Sequence, residues 1–565
     1  KVDKKALPKP EALMYEKIQY EAPANETESK IAAIWKEVLS LNSVGVNNPF
    51  FEIGGNSLSA IRILSRIYKT FGTEISIKDF FEHATVRKLS EHIQKYQSSA
   101  FEEIPALPPK ASYDLSQAQR RLWILNQMEG GGVAYNIPSA YRIRGKLNIP
   151  ALDASFEQLI QRHESLRTCF IVEKEEPKQQ ILSKLPFKMQ IVDLRQETSP
   201  ETAFKYYADK DIATQFDLSQ APLLRVKLFK LSEDQHILLL NIHHIISDAW
   251  SLDVLAKDVL SFYEALSENK AINLLPLRIH YKDYAAWQNR LLASDAMKAH
   301  QAYWHEKLSG ELPVLNLPTD FPRPPVQTFN GSLIRFDFNE SVSSQIAEFS
   351  KTRDASLFMS LLSVLKILLH RYSGQEDIII GSPIAGRNHP DLEHQIGFYV
   401  NMLPMRDEIF GTDSFAKILE KIRKTASEAY QHQIYPFDRL VDELNLARDV
   451  SHSPIFDVGM TFHSDEKIEQ KLAGKLDFSE LKLELKTGKY DLIFIFVQSG
   501  SQLYVNVNYN TDLFRKETVL RMGTHLEELM TSILHYPDLP IRELNILSDS
   551  EKRQILTEFN DTKAE

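Results

Sequence analysis

Two places in the 565-residue sequence combine side chains that could do chemistry. The first is Ser57, which follows Gly54, Gly55 and Asn56 in "FFEIGGNSLSAIRI" and precedes an amphipathic run. A serine there can cap a helix, with the glycines shaping the entering loop. No Gly-Lys-Ser/Thr follows, which excludes a nucleotide-binding Walker loop. The approach "NNPFFEIGG" reads as loop rather than strand, which argues against the strained elbow of a serine hydrolase.

The second place is "NIHHIISDAWS", with His243, His244 and Asp248. It lies at the end of an apolar strand and runs into a helix. Neighbouring residues on a strand point to opposite faces, so the two imidazoles cannot serve one site. That weighs against a shared metal ion, as does the absence of HExxH or clustered cysteines. One histidine in the core, one at the surface and Asp248 as a helix cap is the structural reading. The chemical reading is an imidazole that handles the proton of a nucleophile, since it titrates near physiological pH.

The elements that must position these residues follow from periodicity. In "ETESKIAAIWKEVLSL", Ile31, Ile34, Trp35, Val38 and Leu39 share a helical face. A second helix starts near Ser57 with Ile61, Leu64 and Ile67 apolar and Gly72 as its stop. A short apolar piece at 77–81 leads to a last helix with Val86, Leu89, Ile93 and Tyr96. This predicts an all-α four-helix unit over residues 13–97. The stretch 98–112, with "ALPPK", has no period and reads as a semi-extended linker that reaches at most about 55 Å.

Beyond it strands and helices alternate. "YRIRG", "LRTCFIV", "HILLLNIHH", "DIIIG", "YDLIFIFV" and "LYVNVNYN" are strands, while 151–164, "SLDVLAKDVLSFYEAL" and 355–370 are helices. This is α/β material, and the Pro-rich break at 318–325 suggests two lobes.

Composition bounds the function class. The net charge of −10, with no run of Lys or Arg, weighs against a nucleic-acid binder. No apolar stretch reaches the roughly 18 residues a membrane helix needs. A single cysteine, Cys169, and an opening "KVDKKALPKP" without an apolar core point to a cytoplasmic, soluble multidomain protein.

The wider text around Ser57, "VNNPFFEIGGNSLSA", resembles a peptidyl carrier protein of nonribosomal peptide synthetases. The resemblance implies 4'-phosphopantetheine carried covalently on Ser57. Asn56 stands where that family often has His or Asp. "HHIISDAW" looks like the HHxxxDG motif of condensation domains, relatives of chloramphenicol acetyltransferase. Six further stretches match that family in its own order: "SQAQRRLWIL", "RHESLRTCF", "IHYKDYAAW", "IGFYVNMLPMR", "HQIYPFD" and "RDVSHSPIFDV".

The resemblance implies two acetyltransferase-like lobes in a V, over 113–280 and 281–545, with a tunnel at their junction. His243 and His244 are the motif's pair, and His244 is the catalytic candidate. Asp248 is the structural aspartate, paired with an arginine for which Arg162 and Arg167 are the candidates. Ala249 stands where the family usually has glycine, which would strain a turn needing positive φ.

The same likeness places the tail of a preceding adenylation domain at 1–12 and a linker toward a following one at 546–565, as in bacillus-type synthetases. It implies peptide-bond formation between a donor thioester and an acceptor amine, with a donor of L configuration and no metal. The implied partners are a phosphopantetheinyl transferase, the upstream adenylation domain, and the downstream adenylation and carrier domains. An epimerisation domain shares HHxxxDG, although "IGFYVNMLPMR" favours condensation. A condensation-like scaffold that only recruits partners usually loses the His pair.

Overall fold

The computed structural model describes residues 20–39, 41–55, 57–73, 75–95, 103–127, 131–446, 449–464 and 476–561. The expected adenylation-domain tail at 1–12, Asn56 and the start of the linker lie outside the described residues. The chain forms two compact units: residues up to 103 together with 350–356 and 387–393, and the rest.

The first unit holds α1 (Glu26–Val38), α2 (Ser57–Phe71), α3 (Ile77–Glu82) and α4 (Val86–Ile93). Three starts are capped by short side chains, Asn25, Ser76 and Thr85, each accepting a first-turn N–H. Gly72, with φ of 65°, ends α2 in the left-handed conformation that favours glycine. The core gathers Ile31, Trp35, Ile63, Ile67, Val86 and Leu89 around Phe50, whose ring meets Trp35 at 5.2 Å and Phe80 at 4.9 Å. Such edge-on aromatic pairs add about 1 kcal/mol each beyond burial.

The second unit is α/β. A five-stranded sheet joins β2 (Asn136–Arg144), β5 (Gln190–Asp193), β6 (Leu224–Lys230), β7 (Gln235–His243) and β12 (Asp477–Leu481) in the order β12-β2-β7-β6-β5. A six-stranded sheet joins β8 (Gly331–Asp337), β9 (Asp377–Ile384), β10 (Asn401–Glu408), β11 (Val458–Ser464), β13 (Leu492–Ser499) and β14 (Gln502–Asn510) in the order β10-β9-β11-β13-β14-β8. The small sheet β1 (Tyr113–Asp114), β3 (Thr168–Glu173) and β4 (Glu176–Ile181) completes the strands.

One pairing crosses the expected division of the chain. β12 comes from the far half of the sequence yet pairs antiparallel with Ala140–Arg144 of β2. β7 is central in its sheet and buried at every position but its first, which is why it reads as continuous apolar residues rather than as an alternating pattern. It delivers the histidine pair at its C-terminal end.

The linker also becomes part of this unit. Ile104 is fully buried, and the Leu107 N–H donates to Asp283 Oδ1 at 2.7 Å. Among the described residues no helix is long and apolar enough to cross a membrane.

Candidate functional site

Ser57 is the first residue of the fifteen-residue α2, whose first turn carries no acidic side chain. The loop before it is fixed through Phe50. The Gly55 N–H donates to the Phe50 carbonyl at 2.9 Å, and a Cβ on Gly55 would lie 2.5 Å from the Phe50 ring. Gly54 adopts φ of 93° with open space around it. The glycines therefore let the loop run flat against a core aromatic and turn sharply into α2. A helix start with no carboxylate in its first turn fits a phosphodiester.

β7 ends at His243, and a short 3-10 turn (His244–Ile246) follows before α7 (Ala249–Ser267). Here α5 (Gln117–Leu125), α6 (Ile149–Arg162) and α8 (Tyr281–Leu292) are the other helices that matter. His243 is fully buried. Its Nδ1 accepts the Ile245 N–H at 3.1 Å, so its neutral tautomer carries hydrogen on Nε2. That Nε2 is buried with no hydrogen-bond partner among the described residues. Burial above all, with the Lys489 and Arg225 charges, lowers the His243 pKa to about 3.

His244 is held differently. Its backbone N–H donates to the Tyr135 carbonyl at 2.8 Å. Its Nδ1 lies 2.9 Å from the Ser247 carbonyl, which can only accept, so Nδ1 carries the hydrogen and Nε2 keeps its lone pair. The partly buried ring packs edge-on against Phe398 at 4.7 Å and near Tyr135 at 6.3 Å. Burial, then the Lys489 charge, pushes its pKa well below the usual histidine range, against the opposing pull of the Ser247 carbonyl. His243 braces the turn, and His244 offers a basic nitrogen.

Asp248 is fully buried and caps α7. Its Oδ1 accepts the Ser251 N–H at 2.8 Å, and its Oδ2 accepts the Tyr399 N–H at 3.1 Å. Ser251 Oγ lies 2.7 Å from Asp248 Oδ1 and 2.8 Å from the Gly397 carbonyl, and accepts the Gly397 N–H at 3.1 Å. This clamp ties the histidine turn to residues 397–399, beside the Phe398 ring.

Two expectations need correction. Neither Arg162 nor Arg167 pairs with Asp248. Arg162 donates to Asp258 at 2.9 Å and to the Leu275 carbonyl, while Arg167 donates to the Leu182 carbonyl and lies 3.7 Å from Glu164. From the same stretch it is Ser165 that reaches toward the site, its hydroxyl donating to the Ile396 carbonyl at 2.6 Å. The second correction concerns Ala249. It is exposed, at the first position of α7, and not among the residues with positive φ, so its methyl group strains nothing.

Several of the other matched stretches meet at or beside this turn. Ser116 caps α5, and Gln119 completes a capping box and reaches the Ile245 carbonyl at 3.4 Å. Tyr281 lies 2.8 Å from Ser116 Oγ and donates to the Phe398 carbonyl at 2.6 Å; burial holds its pKa well above that of a free phenol. Arg121 pairs with Asp438 at 2.8 Å, and Asn401 holds the carbonyls of Gln433 and Tyr435. Tyr135, which the motifs do not mark, also borders the His244 ring, and Lys489 Nζ stands 5.0 Å from the Tyr135 ring centroid. Among the described residues no three His, Cys, Asp or Glu side chains gather as a metal site requires.

Residues 110–556 match the condensation domain family, and residues 29–93 match the phosphopantetheine attachment site family. Over its whole length the chain is 41% identical to a linear gramicidin synthase polypeptide of Brevibacillus parabrevis, 38% to bacitracin synthase 3 of Bacillus licheniformis and 35% to gramicidin S synthase 2 of Brevibacillus brevis. It spans only 11%, 9% and 12% of those relatives.

Among solved structures, the X-domain from teicoplanin biosynthesis is 25% identical with a TM-score of 0.73, covering 79% of this chain and all of that one. A four-domain nonribosomal peptide synthetase bound to AMP and glycine shares the fold, at 22% identity and a TM-score of 0.71 over 80% of this chain and 35% of that one. The chain belongs to the condensation domain family, with a phosphopantetheine-attachment domain ahead of it, as in nonribosomal peptide synthetases.

Proposed function

We propose that Ser57 holds the donor's phosphopantetheine arm and that His244 Nε2 accepts the proton shed by an acceptor amine as its C–N bond replaces the thioester C–S bond, then passes that proton to the departing thiolate. When bound, the arm supplies an acyl group as a thioester on a flexible tether. The single observation that carries the reading is the bond between His244 Nδ1 and the Ser247 carbonyl, because it leaves the lone pair on Nε2. The depressed basicity of this imidazole keeps it neutral at working pH. It also means that the proton moves late, once the amine nitrogen has bonded to carbon and become acidic. Asp248 and Ser251 act through position: they hold residues 397–399 and hence the Phe398 wall of the site.

Carrier and condensation domains act with neighbouring synthetase domains and a phosphopantetheinyl transferase. For this chain we assign an upstream adenylation domain and downstream adenylation and carrier domains as those neighbours, in the cytoplasm. The carrier spans residues 13–97 and the linker 98–112. The two lobes meet at 280/281, and an inter-domain segment starts at 546.

The test is mass spectrometry of loaded donor and acceptor carriers. Ser57→Ala should gain no pantetheine mass while keeping its fold. His244→Ala should lower amide formation by about 100-fold, the contribution of a positioned base. Near-normal amide yield from His244→Ala would refute the base role. Inversion of the donor without coupling would support an epimerase instead, and no amide from the loaded wild type would support a recruiting scaffold.

A further inference from the structure

We propose that Lys489 is a positioning residue for this reaction: its ammonium, held against the Tyr135 ring beside His244, repels a second positive charge and so keeps the imidazole in its proton-accepting form. The inference rests on the base role of His244 proposed above.

Lys489 lies in the segment between β12 and β13, and neither the histidine motif nor the other matched stretches contain it. Its Nζ sits 5.0 Å from the centroid of the Tyr135 ring, a cation–π distance. Tyr135 in turn is the residue whose carbonyl receives the His244 N–H and whose ring faces the imidazole. The lysine backbone is anchored on both sides, the preceding Gly488 N–H donating to the Phe329 carbonyl at 3.0 Å. Its carbonyl accepts from Gln327 Nε2 at 3.3 Å, and two residues on, Asp491 pairs with Arg323.

Among the described residues no carboxylate forms an ion pair with this ammonium, and the acids of this part of the fold have partners of their own. Asp438 is held by Arg121, Asp211 by Arg225 and Lys227, and Asp248 by the N–H groups of Ser251 and Tyr399. The groups around His244 are thus neutral His243 at the end of β7, Tyr135 before β2, Asp248 at the start of α7, Phe398 before β10, and Lys489 itself. A cation left unpaired at partial burial is costly, which gives its presence beside a titratable ring a physical reason to be sought.

Electrostatics agrees with the placement. After burial, the Lys489 charge is the next cause of the low basicity of His244. Burial, then the Arg121 charge, lowers the Lys489 pKa to about 8. Below that pH the pair is a charged lysine beside a neutral histidine. Above it the lysine discharges, and the histidine is neutral without its help.

The test measures His244 directly, in the full chain, by the pH dependence of hydrogen exchange at the imidazole C2 carbon. Fragment masses separate His243 from His244. In Lys489→Met the His244 midpoint should rise by about one pH unit, the usual effect of removing a neighbouring charge, and in Lys489→Arg it should stay at the wild-type value. The acidic limb of amide formation should move with it. An unchanged midpoint in Lys489→Met would overturn the proposal, as would a rate loss with the limb in place, which would make Lys489 a packing group. Normal coupling by His244→Ala would sink the base role, yet the midpoint measurement would still read the lysine's effect.

Discussion

Replacing Asp248 tests the clamp that orders the site. The Asp248→Ala variant loses the cap on α7, worth about 1 kcal/mol. It also strands the Tyr399 N–H in the interior, where an unmet donor costs about 2 kcal/mol. Ser251 Oγ keeps the Gly397 carbonyl at 2.8 Å, so its share of the loss is small. The total is about 3 kcal/mol. For a domain spanning residues 110–556, about 1 kcal/mol moves the melting midpoint by about 1 °C, so Asp248→Ala should melt about 3 °C below the wild type in differential scanning calorimetry.

The Asp248→Asn variant is the sharper probe. Its amide oxygen can keep the cap, but its NH2 group then faces the Tyr399 N–H, donor against donor. It should fall between the two, about 2 kcal/mol below the wild type. Coupling should drop in both variants, because Tyr399 adjoins the Phe398 ring that packs on His244. Should Asp248→Ala melt with the wild type and couple normally, the clamp has no role in ordering the site.

Two further outcomes follow from the same contacts. Gly397→Ala would place a methyl group 2.1 Å from the Tyr281 ring, so it should lower both the melting midpoint and the coupling rate, while the same change at open Gly500, with φ of 61°, should cost about 1 kcal/mol and leave coupling intact. The second concerns acid. His243 is neutral when folded down to about pH 3 but binds a proton near pH 6.5 when unfolded. The unfolded state therefore holds more protons below pH 6.5, and stability falls as pH drops from there toward 3. The loss is about 2 kcal/mol by pH 5. His243→Asn, whose side-chain oxygen can still accept the Ile245 N–H, should flatten that slope in urea unfolding at pH 7 and pH 5; an unchanged slope would refute the assignment.

Much of this was legible because the relevant signals are local. The apolar spacing of Ile31, Ile34 and Trp35 marks α1, whose buried face includes all three. Gly72 marks the end of α2, and the observed positive φ explains why glycine stands there. Strand alternation predicts that His243 and His244 part company; in the structure β7 ends at His243, His244 opens the 3-10 turn, and the two rings have different neighbours, Phe216 and Phe398. What sequence left dark is pairing across distance. Nothing in "DFSEL" says that it completes the sheet of β2, since long-range register has no local mark. The motif that contains Arg162 and Arg167 locates a stretch of chain, but not which of its side chains turns inward; Ser165, a small hydroxyl with no periodic signature, makes the link to Ile396. Lys489 in "TGKYDLIFIFV" reads as an ordinary polar lead-in to a buried strand.

The convergence of the matched stretches has a common physical logic. A proton acceptor at the end of a strand is useful only if its ring cannot swing, and a 3-10 turn of three residues is too short to hold itself. Each neighbour removes one freedom. The Tyr135 carbonyl fixes the His244 backbone, the Ser247 carbonyl fixes the tautomer, His243 fixes the Ile245 N–H, and Gln119 reaches the Ile245 carbonyl. Asp248 and Ser251 then fasten the next turn to 397–399, and Tyr281 holds the Phe398 carbonyl from the other side. Of the two imidazoles, His243 keeps a buried Nε2–H with no partner among the described residues, and His244 keeps the lone pair of its Nε2. These contacts set where that lone pair points, and that is why variants that touch no substrate, at Asp248 or Gly397, should change the rate as well as the stability.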